Sequence, residues 1–422
     1  MQKQSSGRVR SGIVGWLAKG PFAIIAASLQ GGVNYLIILY LSFSRDLSAT
    51  GEYRTLFSYY SLLALASMPE SNKVFIKAVV ADDVPSATAL FINRLACGFA
   101  VLAAIVVTGL ITDQMGHPMV SSTLLGIALL SAIVYPFDLY IALLQAQRRF
   151  RMLVLVECIR YGGALACFMS AIASGKSITY AIFVQLGFMG LSMAVFYIIF
   201  SRDWLDLALV RKAGFRLVGR PASRQARALS FANFLPSSLD SVDKLAVGKV
   251  FGLHVLGVYT LAYSTGRFLY NILKPAMYVY YRRFVDAMPG WPLLRRVSGG
   301  FTLFGAVTAV IFLVLVAYVP AMAKFEEGKW TTVILFLSYG VGILSAVYGQ
   351  AFALNKETNA AHAVLGNAFG TLVALGLMCI ALLQSWPIAA VLLALQYPVR
   401  DGLSVLMLHW LRSRQMQRSV NG

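Results

Sequence analysis

The sequence predicts an all-α polytopic membrane protein with twelve transmembrane helices in two six-helix bundles. Three observations predict it. Of 422 residues, 59% are hydrophobic and 13% charged, with a mean hydropathy of +0.72; average soluble proteins carry roughly 25% charged residues. Twelve runs are apolar over about 20 residues, the length that crosses a hydrocarbon core. Basic residues gather on alternate connections between those runs. The composition excludes an ordinary soluble globule, a disordered chain and a nucleic-acid-binding domain. The runs also lack strand-like alternation, which excludes an outer-membrane barrel and leaves helices, whose backbone groups are satisfied internally.

The runs are residues 21–43, 53–72, 87–112, 119–146, 152–173, 178–201, 229–249, 256–281, 297–322, 330–354, 359–384 and 387–411. Met68, Pro69 and Glu70 interrupt the second near its end. The basic N-terminus leads into a full-length apolar run without a small-residue cleavage pattern, so no cleavable signal peptide is expected. Positive residues favour the cytoplasmic side of short loops. Of the 36 Lys and Arg residues, 24 fall on the two tails and the even-numbered connections, among them the cluster Arg202, Arg211, Lys212, Arg216, Arg220, Arg224 and Arg227. The other loops hold five: Arg45, Arg54, Lys176, Lys324 and Lys329. Both termini are therefore expected in the cytoplasm, which requires an even number of spans.

The longest hydrophilic stretch, 202–228, divides the chain into residues 1–201, a basic cytoplasmic linker, and residues 229–422. A shift of 206 residues carries Gly51 and Tyr53 onto Gly257 and Tyr259, and one of 205 carries Gln145 and Ala146 onto Gln350 and Ala351. These identities favour a duplication. Six helices per half make it a parallel repeat, which rocks about a site near the midplane.

Seven basic residues lie inside the runs or at their edges: Arg94, Arg160, Lys244, Lys249, Arg267, Lys274 and Arg400. So do five acids: Asp138, Glu157, Asp240, Asp243 and Asp401. A charge at membrane depth costs about 2.5–3.5 kcal/mol or more, so each should face protein or a water-filled cavity. Arg94 and Lys249 lie near span ends and are expected to snorkel. Glu157 and Arg160, at i,i+3, and Asp240 and Lys244, at i,i+4, can pair on their own helices. Arg400 and Asp401 point about 100° apart and are not expected to cancel each other. Arg267 and Lys274, two turns apart on one face, have no acid on their own span. The excess of bases suggests a net-positive cavity able to hold a polyanion or phosphate, which Arg binds bidentately and Lys as a point charge. Arg160, Lys244, Arg267, Lys274 and Arg400 are the candidate substrate-binding residues. Asp138, Glu157, Asp240, Asp243 and Asp401 are candidates for ion coupling or charge pairing.

Tyr259, Tyr263 and Tyr270 recur near the Arg267 face, where they either pack between helices or stack on sugar. Gln30 and Asn34, in a small polar patch of the first span, either line a cavity or allow close packing. Cys97, Cys158, Cys167 and Cys379 show no metal or redox spacing and read as small core residues. No nucleotide-binding, zinc-protease or acid-cluster motif is present, so no cofactor or metal is expected. No external loop is long enough for a catalytic domain.

At the seventh run and the turn after it stand Asp243, Lys244, Leu245, Gly248, Gly252, Leu256, Gly257, Tyr259, Leu261, Ala262 and Tyr263. This pattern resembles the signature of the polysaccharide-transporter branch of the MOP exporter superfamily, which contains the Wzx-type O-antigen and exopolysaccharide repeat-unit flippases. The resemblance implies a MATE-like, V-shaped pair of bundles around a cationic central cavity, in a bacterial cytoplasmic (inner) membrane. It implies a non-enzymatic flippase that moves undecaprenyl-pyrophosphate-linked oligosaccharide from the cytoplasmic to the periplasmic leaflet by alternating access, coupled to an ion gradient. Its partners would be the anionic lipid-linked oligosaccharide, membrane lipids, and the polymerase and chain-length proteins of a glycan assembly pathway, with no nucleic acid. The competing readings are a MATE-like multidrug or cation exporter, expected to line its cavity with acids, and a membrane-embedded glycan polymerase or acyltransferase. A polymerase would be expected to carry a large external loop.

Overall fold

The computed structural model describes residues 5–114, 121–273, 284, 288–355 and 360–421. The described residues form helices and turns, with no strand. In chain order the helices are α1 (Ser5–Ser44), α2 (Leu47–Ala66), α3 (Ser71–Val80), α4 (Val84–Gln114), α5 (Ser122–Val134), α6 (Leu139–Ala146), α7 (Phe150–Ala173) and α8 (Ile178–Ser201). They continue with α9 (Leu207–Ala213), α10 (Pro221–Leu273), α11 (Trp291–Tyr318), α12 (Lys329–Leu337), α13 (Tyr339–Leu354), α14 (Ala360–Leu382) and α15 (Trp386–Asn421). Among the described residues nine helices are long and apolar enough to cross a membrane, or ten when the bent pair α12 and α13 counts as one span. The protein is thus a multi-pass membrane protein.

Two elements reconcile this count with twelve apolar runs. The first is α10, whose 53 residues would measure about 80 Å as one rod, far beyond a hydrocarbon core of about 30 Å. Gly252 breaks it, with φ 89° and ψ 170°, a backbone that a side chain would strain. The chain then doubles back: the Tyr259 hydroxyl reaches Asp243 at 2.8 Å, and Lys244 lies over the Tyr263 ring. So 221–251 and 253–273 are the two arms of a helical hairpin. The second is α2, twenty residues long with Glu52 and Arg54 in its first turns, which is not among the nine.

Local chemistry sets the breaks. Ser121 and Ser177 accept the backbone N–H groups of Leu124 and Tyr180 and cap α5 and α8. Met68, at positive φ ahead of Pro69, ends α2 before the amphipathic α3 begins. A 3₁₀ turn over Tyr135–Asp138 separates α5 from α6. A 49° bend separates α12 from α13.

α2 and the second arm of α10 meet through a reciprocal contact. A Cβ on Gly51 would lie 2.1 Å from the Leu253 carbonyl oxygen, and one on Gly257 would lie 1.9 Å from the Leu47 carbonyl oxygen. The 206-residue shift that relates Gly51 to Gly257 also carries Leu47 onto Leu253. The two contacts are therefore reciprocal: positions 206 residues apart present a glycine to each other's leucine carbonyl. Only hydrogen at both positions lets the backbones close this far. We expect Gly51→Ala and Gly257→Ala each to lower stability by about 1–3 kcal/mol, the range for overpacking. Gly162→Ala and Gly187→Ala, with open space around the added methyl, should be neutral or mildly stabilising. Thermal unfolding of the four variants in one detergent checks this; equal effects at all four positions would show that the reciprocal contact is not tight.

Candidate functional site

The central cavity, of about 300 Å³, lies where α1 and α2 face both arms of α10. Among its lining residues are Gly31, Asn34, Tyr35, Phe57 and Leu65, and also Ser237, Asp240, Ser241, Tyr263 and Asn271. A shift of 206 carries the first five onto the second five in order. The cavity wall thus draws on positions paired by that shift. Arg54, Ser61, Ser264 and Phe268 complete most of its wall. The Tyr35 and Thr265 hydroxyls, 3.1 Å apart, tie α1 to α10 beside it.

A second cavity, of about 200 Å³, shares Ser237 and Asp240 with the first. Its other walls come from α10 (Leu229, Asn233, Pro236), α13 (Ser345, Ala346, Gly349, Gln350), α14 (Asn367) and α15 (Arg400, Asp401, Ser404, Leu408). Glu70 and Lys73, at the start of α3, reach it from the first half, and Tyr270 from the second arm of α10. The lining is mostly hydroxyl, amide and charged. Asn367 donates to Asn233 at 2.8 Å, and the buried Gln350 Oε1 has no hydrogen-bond partner.

Arg400 organises the charge of this cavity. Its Nη1 donates to Asp240 Oδ1 and to the Pro236 carbonyl, each at 2.9 Å, and its Nε donates to Asp401 Oδ1 at 3.0 Å. Asp240 therefore pairs with Arg400 through its carboxylate, while Lys244 takes only its backbone carbonyl, at 2.6 Å. The adjacent pair Arg400 and Asp401 does bridge, contrary to expectation, because the long guanidinium stem reaches around the helix to its neighbour's short carboxylate. Arg267 is buried between the rings of Tyr270 and Tyr397, 4.8 and 4.7 Å from their centroids, and its Nε has no hydrogen-bond partner.

Other expected site residues form closed units away from the cavity walls. Asp243 and Lys244 are completely buried. Lys244 Nζ donates to Asp243 Oδ1 at 3.0 Å and lies 3.8 Å from the Tyr263 ring centroid. Asp243 Oδ2 accepts from Tyr259 at 2.8 Å, Tyr397 at 2.6 Å and Gln396 at 3.3 Å. In the first half, Arg160 pairs with Glu157 at 2.6 Å, and the Tyr140 hydroxyl donates to Glu157 while accepting from Arg160. Arg160 also bonds and stacks on Tyr161.

Several expectations need correction. Arg94 does not snorkel. It is fully buried, bonded to Asp138, to the Ser67 carbonyl at 3.0 Å and to Asn72 at 3.0 Å. Lys249 is exposed, as a snorkelling residue should be. Arg54 is not a loop residue but a wall of the central cavity. Cys158 and Cys379 are exposed on the apolar exterior rather than in the core. Nor are the two cavities net positive among the described residues: Arg54, Lys73 and Arg400 line them against Glu70, Asp240 and Asp401. Most of the bases counted along the spans are matched by acids, and of the others Lys249 is exposed and Arg267 lies between two tyrosine rings, which a sum over sequence does not separate from a cavity wall.

Of the aromatic and polar candidates, Tyr263 and Asn34 line the central cavity, Tyr270 lines the second, and Tyr259 is enclosed with Asp243. Lys274 and the side chain of Gln30 lie outside the described residues. Asn233, Gln350 and Asn367 were not anticipated. Their signal, isolated amides in otherwise apolar helices, is visible in the sequence. Among the described residues no three His, Cys, Asp or Glu side chains converge as a metal site.

No protein-family model matches the chain, and no curated protein matches it in sequence. Solved structures do match its fold. A Vibrio cholerae MATE transporter, VcmN, in a point-mutant form, superposes with a TM-score of 0.55 at 14% identity, over 97% of this chain and 98% of that one. An outward-facing multidrug resistance MATE family transporter of the MOP superfamily gives 0.48 at 15%, over 95% and 96%. A eukaryotic MATE transporter, AtDTX14, gives 0.45 at 13%, over 95% and 96%. The first of these shows that the chain has the MATE-like fold.

The enclosed pair yields a prediction. Asp243→Asn leaves Lys244 as an uncompensated buried charge, which costs about 3–5 kcal/mol. Adding Lys244→Met should restore most of that loss. Thermal unfolding of both single variants and the double variant checks it; additive losses would show that the two side chains are not energetically coupled.

Proposed function

We propose that the protein is a flippase for undecaprenyl-pyrophosphate-linked oligosaccharide, an O-antigen or exopolysaccharide repeat unit, moving it from the cytoplasmic to the periplasmic leaflet by alternating access. The observation that carries this reading is the lining of the cavities. Pockets for small drug-like ligands are predominantly hydrophobic and aromatic. The second cavity instead presents Asn233, Ser237, Ser345, Gln350, Asn367 and Ser404 beside Arg400, Asp240 and Asp401. Such groups match sugar hydroxyls. The pairing of wall positions in the central cavity fits two halves, 1–201 and 229–422, rocking about it, with 202–228 as the linker. In this reading the lipid tail stays in the bilayer while the polar head crosses between the halves.

The loop-charge asymmetry orients the chain with both termini in the cytoplasm of a bacterial inner membrane. The reciprocal glycine contact then lies on the periplasmic side, and the second cavity opens toward the cytoplasmic side, where the substrate is made. Asp240, shared by both cavities, is the acid best placed to carry a coupling ion. That same carboxylate favours a second reading, a cation or multidrug exporter, and the MATE-like fold is compatible with it.

Cellular export separates the two. A strain lacking this gene and any redundant flippase should lose surface glycan and accumulate the lipid-linked precursor, with dye efflux unchanged. Re-expression of Arg54→Ala at wild-type abundance should restore roughly a tenth or less of export, since a lost charge-assisted contact is worth about 1.5–3 kcal/mol. Intact glycan with lost dye efflux would establish the exporter reading instead.

A further inference from the structure

We infer that the glycan accepted by these cavities is uncharged and hydroxyl-rich, and that Asp240 is the acceptor that reads it. This rests on the flippase reading and goes beyond it by naming the sugar class.

Among the described residues, every cation lining the second cavity is already paired with a carboxylate. Lys73 is bridged to Glu70. Arg400 commits Nη1 and Nε to Asp240, Asp401 and the Pro236 carbonyl, so two carboxylates answer its one charge, and its side chain is only 11% exposed. The Asp240 side chain is 40% exposed. One Asp240 oxygen accepts from Arg400, and the other accepts no hydrogen bond among the described residues. The charge offered to a ligand is therefore a carboxylate, fixed in place by a guanidinium behind it.

A carboxylate of this kind accepts hydroxyl donors strongly. The groups beside it are neutral: Ser237, Asn233, Asn367 and Gln350, whose buried oxygen still lacks a donor. Together they complement a polyol. A uronic or otherwise acidic sugar would place like charge against Asp240, an element that rejects the wrong ligand. The anionic part of a lipid-linked substrate has a cation to meet in the central cavity, across from Asp240. Arg54 faces the central cavity from the other half and has no carboxylate partner among the described residues, and its buried Nε has no hydrogen-bond partner. The geometry thus points to a bipolar site: phosphate toward Arg54, neutral sugar toward Asp240.

Calorimetry on the purified full-length protein tests this with maltotriose, trigalacturonate and ethidium as probes. Maltotriose should bind at least roughly tenfold tighter than trigalacturonate, because like-charge juxtaposition costs several kcal/mol. Asp240→Asn should erase that preference, mainly by admitting the acidic probe. Gln350→Leu should weaken maltotriose alone, and it carries the test where the Asn variant does not fold. Equal or tighter binding of trigalacturonate to the wild type overturns the sugar-class proposal and leaves the flippase reading standing. So does an unchanged preference in Asp240→Asn. Failure of both sugars overturns the proposal, and where ethidium binds in their place the flippase reading falls with it.

Discussion

A charge held away from water needs a partner, and most of this protein's interior follows from that. An unpaired intramembrane charge costs about 2.5–3.5 kcal/mol or more. Burying two opposite charges is worthwhile only when their remaining donors and acceptors are also met. The interior satisfies this by grouping. Arg94 takes Asp138, a carbonyl and an amide; Arg160 takes Glu157 and two tyrosines; Lys244 takes Asp243 within a ring of tyrosines. Two of these groups also join elements that are distant in sequence. Arg94 holds α4 against the turn after α2 and the break between α5 and α6. Asp243 holds both arms of α10 against α15.

The same requirement explains the shape of the candidate site. Pro236 lies inside α10 and Pro398 inside α15. A proline in a helix removes one backbone hydrogen bond and bends the helix away from ideal packing. Arg400, two residues after Pro398, donates to the Pro236 carbonyl itself. The arginine that neutralises Asp240 and Asp401 therefore also ties α15 to the backbone of α10.

Hydropathy made the fold class and most spans legible, since apolar runs of membrane-crossing length need no tertiary information. The i,i+3 pair of Glu157 and Arg160 was legible for the same reason. What depended on side-chain reach was not. Arg400 and Asp401 diverge as directions on a helical wheel, yet a guanidinium on a long stem closes the gap. What depended on distant chain segments was hidden altogether: Tyr397 and Gln396 meet Asp243 from about 150 residues away. The 206-residue shift, faint as identities, pairs five positions of the cavity wall whose residue types mostly differ. Asn34 answers Asp240, and Phe57 answers Tyr263.

That correspondence supplies an internal control on the charges. Shifted by 206 residues, Asp243 and Lys244 fall on Ile37 and Ile38, both buried. The first half packs its counterpart of this site with two isoleucines, so the architecture does not require an ion pair there. Replacing a buried ion pair by apolar residues is often neutral or stabilising. Stability therefore does not account for Asp243 and Lys244. Nor does it account for Asp240, whose counterpart Asn34 lines the same cavity without a charge. The charges at 240, 243 and 244 belong to one half only, and they stand behind and beside the cavity wall. A repeat that served packing alone would have kept both halves alike. The difference between them is concentrated at and behind the wall that the two cavities share at Asp240.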